Sequence, residues 1–177
     1  ETVTAPAPDQ WGAIWFYDNN SNNILEHCWI GYGGGYYTSA MIDVYTSDLT
    51  IRNSTIAHSI ERGVYCEGAS PLFESNHFIG NQTDGIYLYH LDNEVDLKLT
   101  DNVFTSNLNF AAVAILQDNR SNITLSGNSS TGSAHNGFGL EGTIAGPVTF
   151  DANQGFPFVI WQNVAVNEGA VLTFTPG

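Results

Sequence analysis

The sequence predicts an all-β solenoid of about six to seven turns, each turn contributing one short strand to each of three parallel sheets. Three observations predict it. Asn76, Asn102, Asn128 and Asn153 recur at steps of 26, 26 and 25 residues, each three residues after an apolar position (Phe73, Leu99, Leu125, Phe150). The register runs backward through Ser54 after Ile51 and Cys28 after Leu25. Apolar residues alternate with polar ones in short runs, and no segment keeps a helical period. Self-similarity of this length is the mark of a chain that stacks on itself. Each turn then sets its amide above the last, and Ser54, Asn76, Asn102, Asn128 and Asn153 form a hydrogen-bonded ladder.

The first strand of each turn reads as Ile14-Trp15-Phe16, Ile42-Asp43-Val44, Val64-Tyr65-Cys66, Ile86-Tyr87-Leu88, Val113-Ala114-Ile115 and Phe138-Gly139-Leu140. A period of two puts one face inward and one outward. A small residue precedes most of these runs (Gly12, Ala40, Gly63, Gly85, Gly137), which suits a corner with positive φ. The second strand reads as Leu49-Thr50-Ile51, Leu97-Lys98-Leu99, Ile123-Thr124-Leu125 and Val148-Thr149-Phe150. A shorter third piece carries Ile30, Ile56, Phe78 and Phe104, followed by a second polar corner at Asn81 and Asn107. First strands start 28, 22, 22, 27 and 25 residues apart, so the longer turns carry insertions such as 18–23 and 31–38. Parallel neighbours need a long crossover; here the other two strands of the turn supply it.

The unit Gly85-Ile86-Tyr87-Leu88, with Asn102-Val103-Phe104 and Ser106-Asn107, resembles the repeat of the right-handed parallel β-helix, the fold of the pectate-lyase-like superfamily. The resemblance covers nearly the whole chain. It implies a fold and leaves the activity open, because the superfamily includes lyases, glycosidases, tailspikes, adhesins and surface-layer proteins. The ends are similar to repeat units of long exported β-helix proteins. Residues 6–14 look like the entry to such a repeat, and 164–177 resemble the opening of a further unit. The expected organisation is one domain over 1–177, with an entry segment at 1–10 and a last turn at 158–177. It reads as a piece of a longer array, or one that self-associates end to end.

Composition narrows the partners. Eighteen acids face four bases, a net charge of −14. Nucleic-acid binding needs several phosphate contacts from Lys or Arg, and Arg52, Arg62, Lys98 and Arg120 are too few and too scattered. Anionic membranes and polyanionic polymers are disfavoured for the same reason. No run approaches the roughly 18 apolar residues of a membrane span. Charged residues make up only 12% of the chain, about half the usual share. A surface of Ser, Thr, Asn, Gly and Tyr fits a secreted or cell-surface protein. Six Asn-x-Ser/Thr sequons are weakly consistent with export. Cys28 and Cys66 lie two turns apart, beyond disulfide reach, and read as small buried hydrophobes.

The outward face of the first sheet gathers Trp15, Tyr17, Asp43, Tyr45, Tyr65, Glu67, Tyr87 and Tyr89 on four adjacent turns. Exposed rings offer flat apolar surface to sugars, and carboxylates accept hydroxyl hydrogen bonds, so this face is the candidate ligand-binding site. The competing reading is rings that stack across strands and stabilise the sheet, with the 31–38 loop and its Tyr36 and Tyr37 covering them. Asp43 and Glu67 fall very roughly 8 Å apart, inside the span that inverting glycosidases use between their carboxylates. They are the acid and base of an alternative reading, a glycosidase or lyase; lyases of the superfamily also rely on a base, and no Arg or Lys is expected on this face. Asp92, Glu94 and Asp96 alternate in one loop and could hold calcium, the one ion the sequence suggests. They lack the Gly and distal Glu of an EF-hand, and a solvated acidic loop is the competing reading. The five histidines have no zinc spacing. Residues 31–35, Gly-Tyr-Gly-Gly-Gly, read as a flexible loop and not a phosphate cradle. The function expected is a noncatalytic extracellular module with a carbohydrate-binding or adhesive face. The alternatives are the enzyme and a structural spacer or filament subunit.

Overall fold

The computed structural model describes residues 5–17, 22–35, 37–91, 96–119, 123–151 and 156–175. Among them there is no helix; the chain winds through about six turns. The first turn is β1 (Ile14–Phe16), β2 (Asn23–Glu26) and β3 (Trp29–Gly31). The second is β4 (Ala40–Tyr45), β5 (Leu49–Arg52) and β6 (Thr55–Ala57). The third is β7 (Arg62–Glu67), β8 (Leu72–Glu74) and β9 (His77–Ile79), and the fourth is β10 (Ile86–Leu91), β11 (Leu97–Thr100) and β12 (Val103–Thr105). The fifth is β13 (Phe110–Asn119), β14 (Ile123–Ser126) and β15 (Ser129–Thr131). Then come β16 (His135–Ile144), β17 (Pro147–Phe150), β18 (Phe158–Val166) and β19 (Val171–Phe174). All pairings are parallel. The first strands make a seven-stranded sheet, and the second and third strands make five-stranded sheets.

The register is set by what each inward position can bury. Ile42, Val64, Ile86 and Phe138 are fully buried in one column, and Ile51, Phe73 and Leu99 in another. In the third column Phe78 stacks on Phe104 at 5.0 Å. Ser130 takes the next register position, and Phe156 lays its ring on Phe104 at 5.3 Å in place of a large side chain there.

The fifth first strand is shifted one residue from expectation. Ala112 pairs with Ile86 and Val113 with Tyr87, so the run is Ala112-Val113-Ala114. Phe138 stands next to Ala112 in the same column, so large and small side chains alternate there. A one-residue slip exchanges the two faces of a strand, so Ile115 points outward, level with Glu141.

Both corners are laddered. Asn102 Oδ1 accepts from the backbone N–H and side-chain amide of Asn76 (3.0 and 3.1 Å). Asn128 Oδ1 does the same for Asn102 (both 3.0 Å). The amides donate back to Ile51, Phe73 and Leu99 carbonyls. Asn76 Oδ1 accepts from Ser54 N–H, and Ser54 Oγ from Cys28 N–H. Cys28 is therefore the end of the ladder and only half-buried, whereas Cys66 is buried. Asn153 lies outside the described residues. A second ladder joins Ser59, Asn81 and Asn107. The residue before each rung has positive φ: His27, Asn53, Ser75, Asp101 and Gly127 on one side, His58, Gly80 and Ser106 on the other, where Tyr32 and Gly132 bend the same corner in the flanking turns. This left-handed residue turns the corner, and the amide that follows satisfies the polar groups the bend exposes.

At Gly63 and Gly85 the small residue before the first strand has a different cause from the one expected, whereas Gly137 does have positive φ. Gly63 and Gly85 do not have positive φ. They admit the next turn: a Cβ on Gly85 would meet Ala111 O at 2.5 Å, and one on Gly63 would meet Gly85 O at 2.7 Å. Gly85→Ala should therefore cost about 1–3 kcal/mol, seen as a lower urea midpoint with an unchanged slope.

The loop at 31–35 is fastened. Gly33, Gly34 and Gly35 are buried, and the N–H groups of Gly34 and Gly35 donate to Gly12 O and Trp11 O. A Cβ on Gly33 would meet the Trp11 ring at 2.6 Å, so the missing side chains are what let the entry segment pack there.

The three main sheets are those expected; beyond them β17 pairs with β19 and not with β14, in a separate two-stranded sheet. The edges of β14 and β17 border a cleft of about 150 Å³ lined by Ile123, Leu125, Phe150 and Phe158.

Candidate functional site

The outward face of the large sheet is built by β1, β4, β7 and β10. Trp15, Asp43, Tyr65 and Tyr87 pair in one row, and Tyr45, Glu67 and Tyr89 in the next. Neighbouring strands lie close enough for rings in such rows to touch. Centroids run Trp15–Tyr17 at 6.4 Å, Tyr17–Tyr45 at 5.1 Å, Tyr45–Tyr65 at 5.7 Å and Tyr65–Tyr87 at 5.9 Å. Tyr89 joins through Tyr65 at 6.3 Å. All six rings thus form one continuous array. Trp15 and Tyr17 are 52% and 45% exposed, and the other four are half-buried. Tyr37 is fully exposed and does not cover them; Tyr36 lies outside the described residues.

The two carboxylates differ. Asp43 shares the outward row, but it is only 1% exposed. The Trp15 indole N–H donates to its Oδ2 at 2.9 Å and roofs it. Burial pushes its carboxyl above the usual range, partly offset by the Trp15 bond and the backbone amides of Ser39 and Ala40. Alternation assigned its side correctly; the ring on the preceding turn removes it from solvent. Glu67 is half-buried and accepts from Tyr65 Oη at 2.9 Å. Burial and that carboxylate push the Tyr65 phenol well up, so it stays a donor. An acid–base pair needs both carboxyls at the substrate, and Asp43 is sealed beneath Trp15.

A base does reach this face. Arg62, at the start of β7, lays its guanidinium 4.4 Å from the Tyr87 ring centroid. Its Nε lies 3.3 Å from Asp84 Oδ2, and its Nη1 donates to Ser39 O. Asp84 is buried; its Oδ1 accepts from Phe110 N–H and Asn109 Nδ2. Desolvation raises its carboxyl despite Arg62. No Arg or Lys was expected on this face; the long stem of Arg62 carries its charge over the ring.

Asp43 and Asp84 together predict a pH response. Both bind protons more tightly in the folded chain than in the unfolded one, so their own contribution to stability rises as pH falls toward the ordinary carboxyl range near about 4. His77, whose imidazole is pushed down by burial, works against it. Measured against Asp84→Asn, which lacks one of the two groups, the unaltered protein should gain melting temperature as pH falls. A difference between the two proteins that does not grow in favour of the unaltered one would contradict the burial of Asp84.

Two further ring clusters escaped the sequence reading. Phe110 packs against His135 at 4.4 Å and Trp161 at 5.1 Å, extending the large sheet's aromatic face to its far end. Trp29, Tyr32 and His58 stack on the third sheet's outer face. The signal for Trp161 was its sequence distance from Glu141, but the last turn is short and its register shifts. Of the candidate calcium loop, Asp92 and Glu94 lie outside the described residues. Asp96 is exposed, with its backbone N–H donating to Ser70 Oγ. Among the described residues no three His, Cys, Asp or Glu side chains cluster as a metal site.

The geometry now fits an independent match. Residues 9–154 match the family model described as the right-handed beta helix region. The chain belongs to this right-handed β-helix family. The match runs from the end of the entry segment through β17, so it gives the hand of the coil as well as its class. No curated protein and no solved structure matches significantly.

Proposed function

We propose that this β-helix is a noncatalytic extracellular module whose large sheet displays a carbohydrate-binding face, within a larger secreted or cell-surface protein. The observation that carries the reading is the continuous array of six rings, open to solvent at Trp15 and Tyr17. Rings that only braced the sheet would gain most by being covered. Aromatic faces pack on the apolar faces of sugar rings, and Glu67, between Tyr45 and Tyr89, offers a carboxylate for hydroxyls. A chain of net charge −14 favours neutral or cationic glycans over polyuronates.

Glycan-array screening tests it. The intact protein should retain a defined set of glycans. Tyr17→Ala should weaken that binding by about tenfold or more with little change in melting temperature, because Tyr17 is half exposed. Unchanged binding in Tyr17→Ala and Tyr87→Ala would sink the reading. Release of reducing ends or unsaturated sugars from the bound glycans, lost in Asp43→Asn, would favour the enzyme instead.

A further inference from the structure

Beyond Tyr87 the same sheet face encloses a pocket of about 70 Å³. Tyr87, Phe110 and Trp161 give it ring walls, and Asn109, Gln162 and Glu141 give it polar edges. Phe110 and Trp161 meet edge to face at 5.1 Å, which fixes their angle. Glu141, on β16, lies in the register position beside Ile115. Its Oε2 is shielded from solvent and has no hydrogen-bond donor. A buried acceptor without a donor is costly, and a carboxylate oxygen more so.

We propose that this pocket binds a protonated amine, with Glu141 as counter-ion and acceptor and the rings of Tyr87, Phe110 and Trp161 as its walls. Each property of the site selects that chemistry. Ring faces attract cations electrostatically; Arg62 already lies over Tyr87, so Trp161 offers the open one. The orphaned oxygen needs a donor, so the cation carries an N–H and is not quaternary. Calcium would need six or more oxygen ligands, and one carboxylate among rings does not supply them. An anion would meet Glu141. Size keeps a whole sugar ring outside: roughly 10–15 Å³ of such space houses one water, so the pocket admits a head group of a few heavy atoms, and an amino sugar would enter by its ammonium alone. The pocket shares Tyr87 with the sugar-binding face but does not rest on that reading, since Trp15 and Tyr17 take no part in it.

The test uses three probes of similar shape on the intact chain: trimethylammonium, which has one N–H; tetramethylammonium, which has none; and neutral tert-butanol. Binding is followed by the NMR shift of the Trp161 indole N–H. Trimethylammonium should bind with a dissociation constant of about a millimolar, as befits so small a ligand. Tetramethylammonium and tert-butanol should each bind about tenfold or more weakly. Glu141→Gln should abolish the preference for the ammonium, and Trp161→Leu, read by the backbone N–H shift of the lining residue Gln162, should weaken binding while the chain stays folded, Trp161 being 46% exposed. Equal shifts with all three probes, no shift up to about 100 mM, or full binding by Glu141→Gln would overturn the proposal. Glycan binding should survive Glu141→Gln. Once amine binding is seen, comparing a glucosamine glycoside with a blocked lysine amide identifies which source of the amine the pocket prefers.

Discussion

Phe104→Ala should destabilise the protein by about 4 kcal/mol, the usual cost of removing a fully buried ring. Phe104 is 0% exposed and sits between Phe78 at 5.0 Å and Phe156 at 5.3 Å. Its loss would open a void in the middle of the third column. The void cannot be filled from above, because the next register position is already the small Ser130. Phe156 reaches that space from a connecting segment and would lose its stacking partner as well. The melting temperature should fall by roughly 8–16 °C, at about 2–4 °C per kcal/mol for a chain of this size. Val103→Ala is the comparison: its side chain points outward from the same strand, 41% exposed, and should cost less than about 1 kcal/mol. Equal losses from the two variants would mean that the inward column is wrongly assigned.

Asn102→Leu should cost a similar amount, about 4 kcal/mol, through a different mechanism. The volumes are close, so packing is not the main effect. Asn102 Oδ1 is the acceptor for two N–H groups of Asn76, and its amide donates to Phe73 O and Asn128 Oδ1. The substitution removes partners from several buried polar groups at once, each worth about 1–3 kcal/mol when left unpaired. Asn102→Asp separates hydrogen bonding from shape. It retains an acceptor for Asn76, loses the donor to Phe73 O, and adds a buried charge, so it should also destabilise. Gln117→Leu, on an exposed position of β13, should have little effect. Urea unfolding of the four proteins would order them as wild type and Gln117→Leu above Asn102→Leu and Asn102→Asp. An Asn102→Leu midpoint equal to wild type would show that the amide is not in a buried ladder.

The solenoid was legible because two independent periods agree. The amides at 76, 102 and 128 fix which residues stack, and the alternation in strands such as Leu97-Lys98-Leu99 fixes which of them turn inward. Where one period falls silent, the reading slips. Residues 110–116 are apolar at every position, so alternation could not choose a face, and the strand was placed one residue out. Only the filling of the column beside Phe138 decides it.

The candidate site was half legible for the same kind of reason. Periodicity put Trp15, Tyr65 and Tyr87 in one outward row, and they are there. It could not say that Trp15 would fold down over Asp43, since cover depends on a rotamer and not on register. Nor could it place Arg62, whose charge ends several bonds from its Cα and over a ring of the next turn. The glycine run at 33–35 reads as freedom in one dimension and as a tight contact in three, because the absent side chains make room for Trp11 and its neighbours.

The most direct measurement is a map of proximities among side-chain amides by nuclear Overhauser spectroscopy. Stacking predicts one chain of contacts linking Asn76 to Asn102 and Asn102 to Asn128, and a separate one linking Asn81 to Asn107. Contacts between Asn102 and Asn107, or silence between Asn76 and Asn102, would place these residues on different walls and contradict the coil.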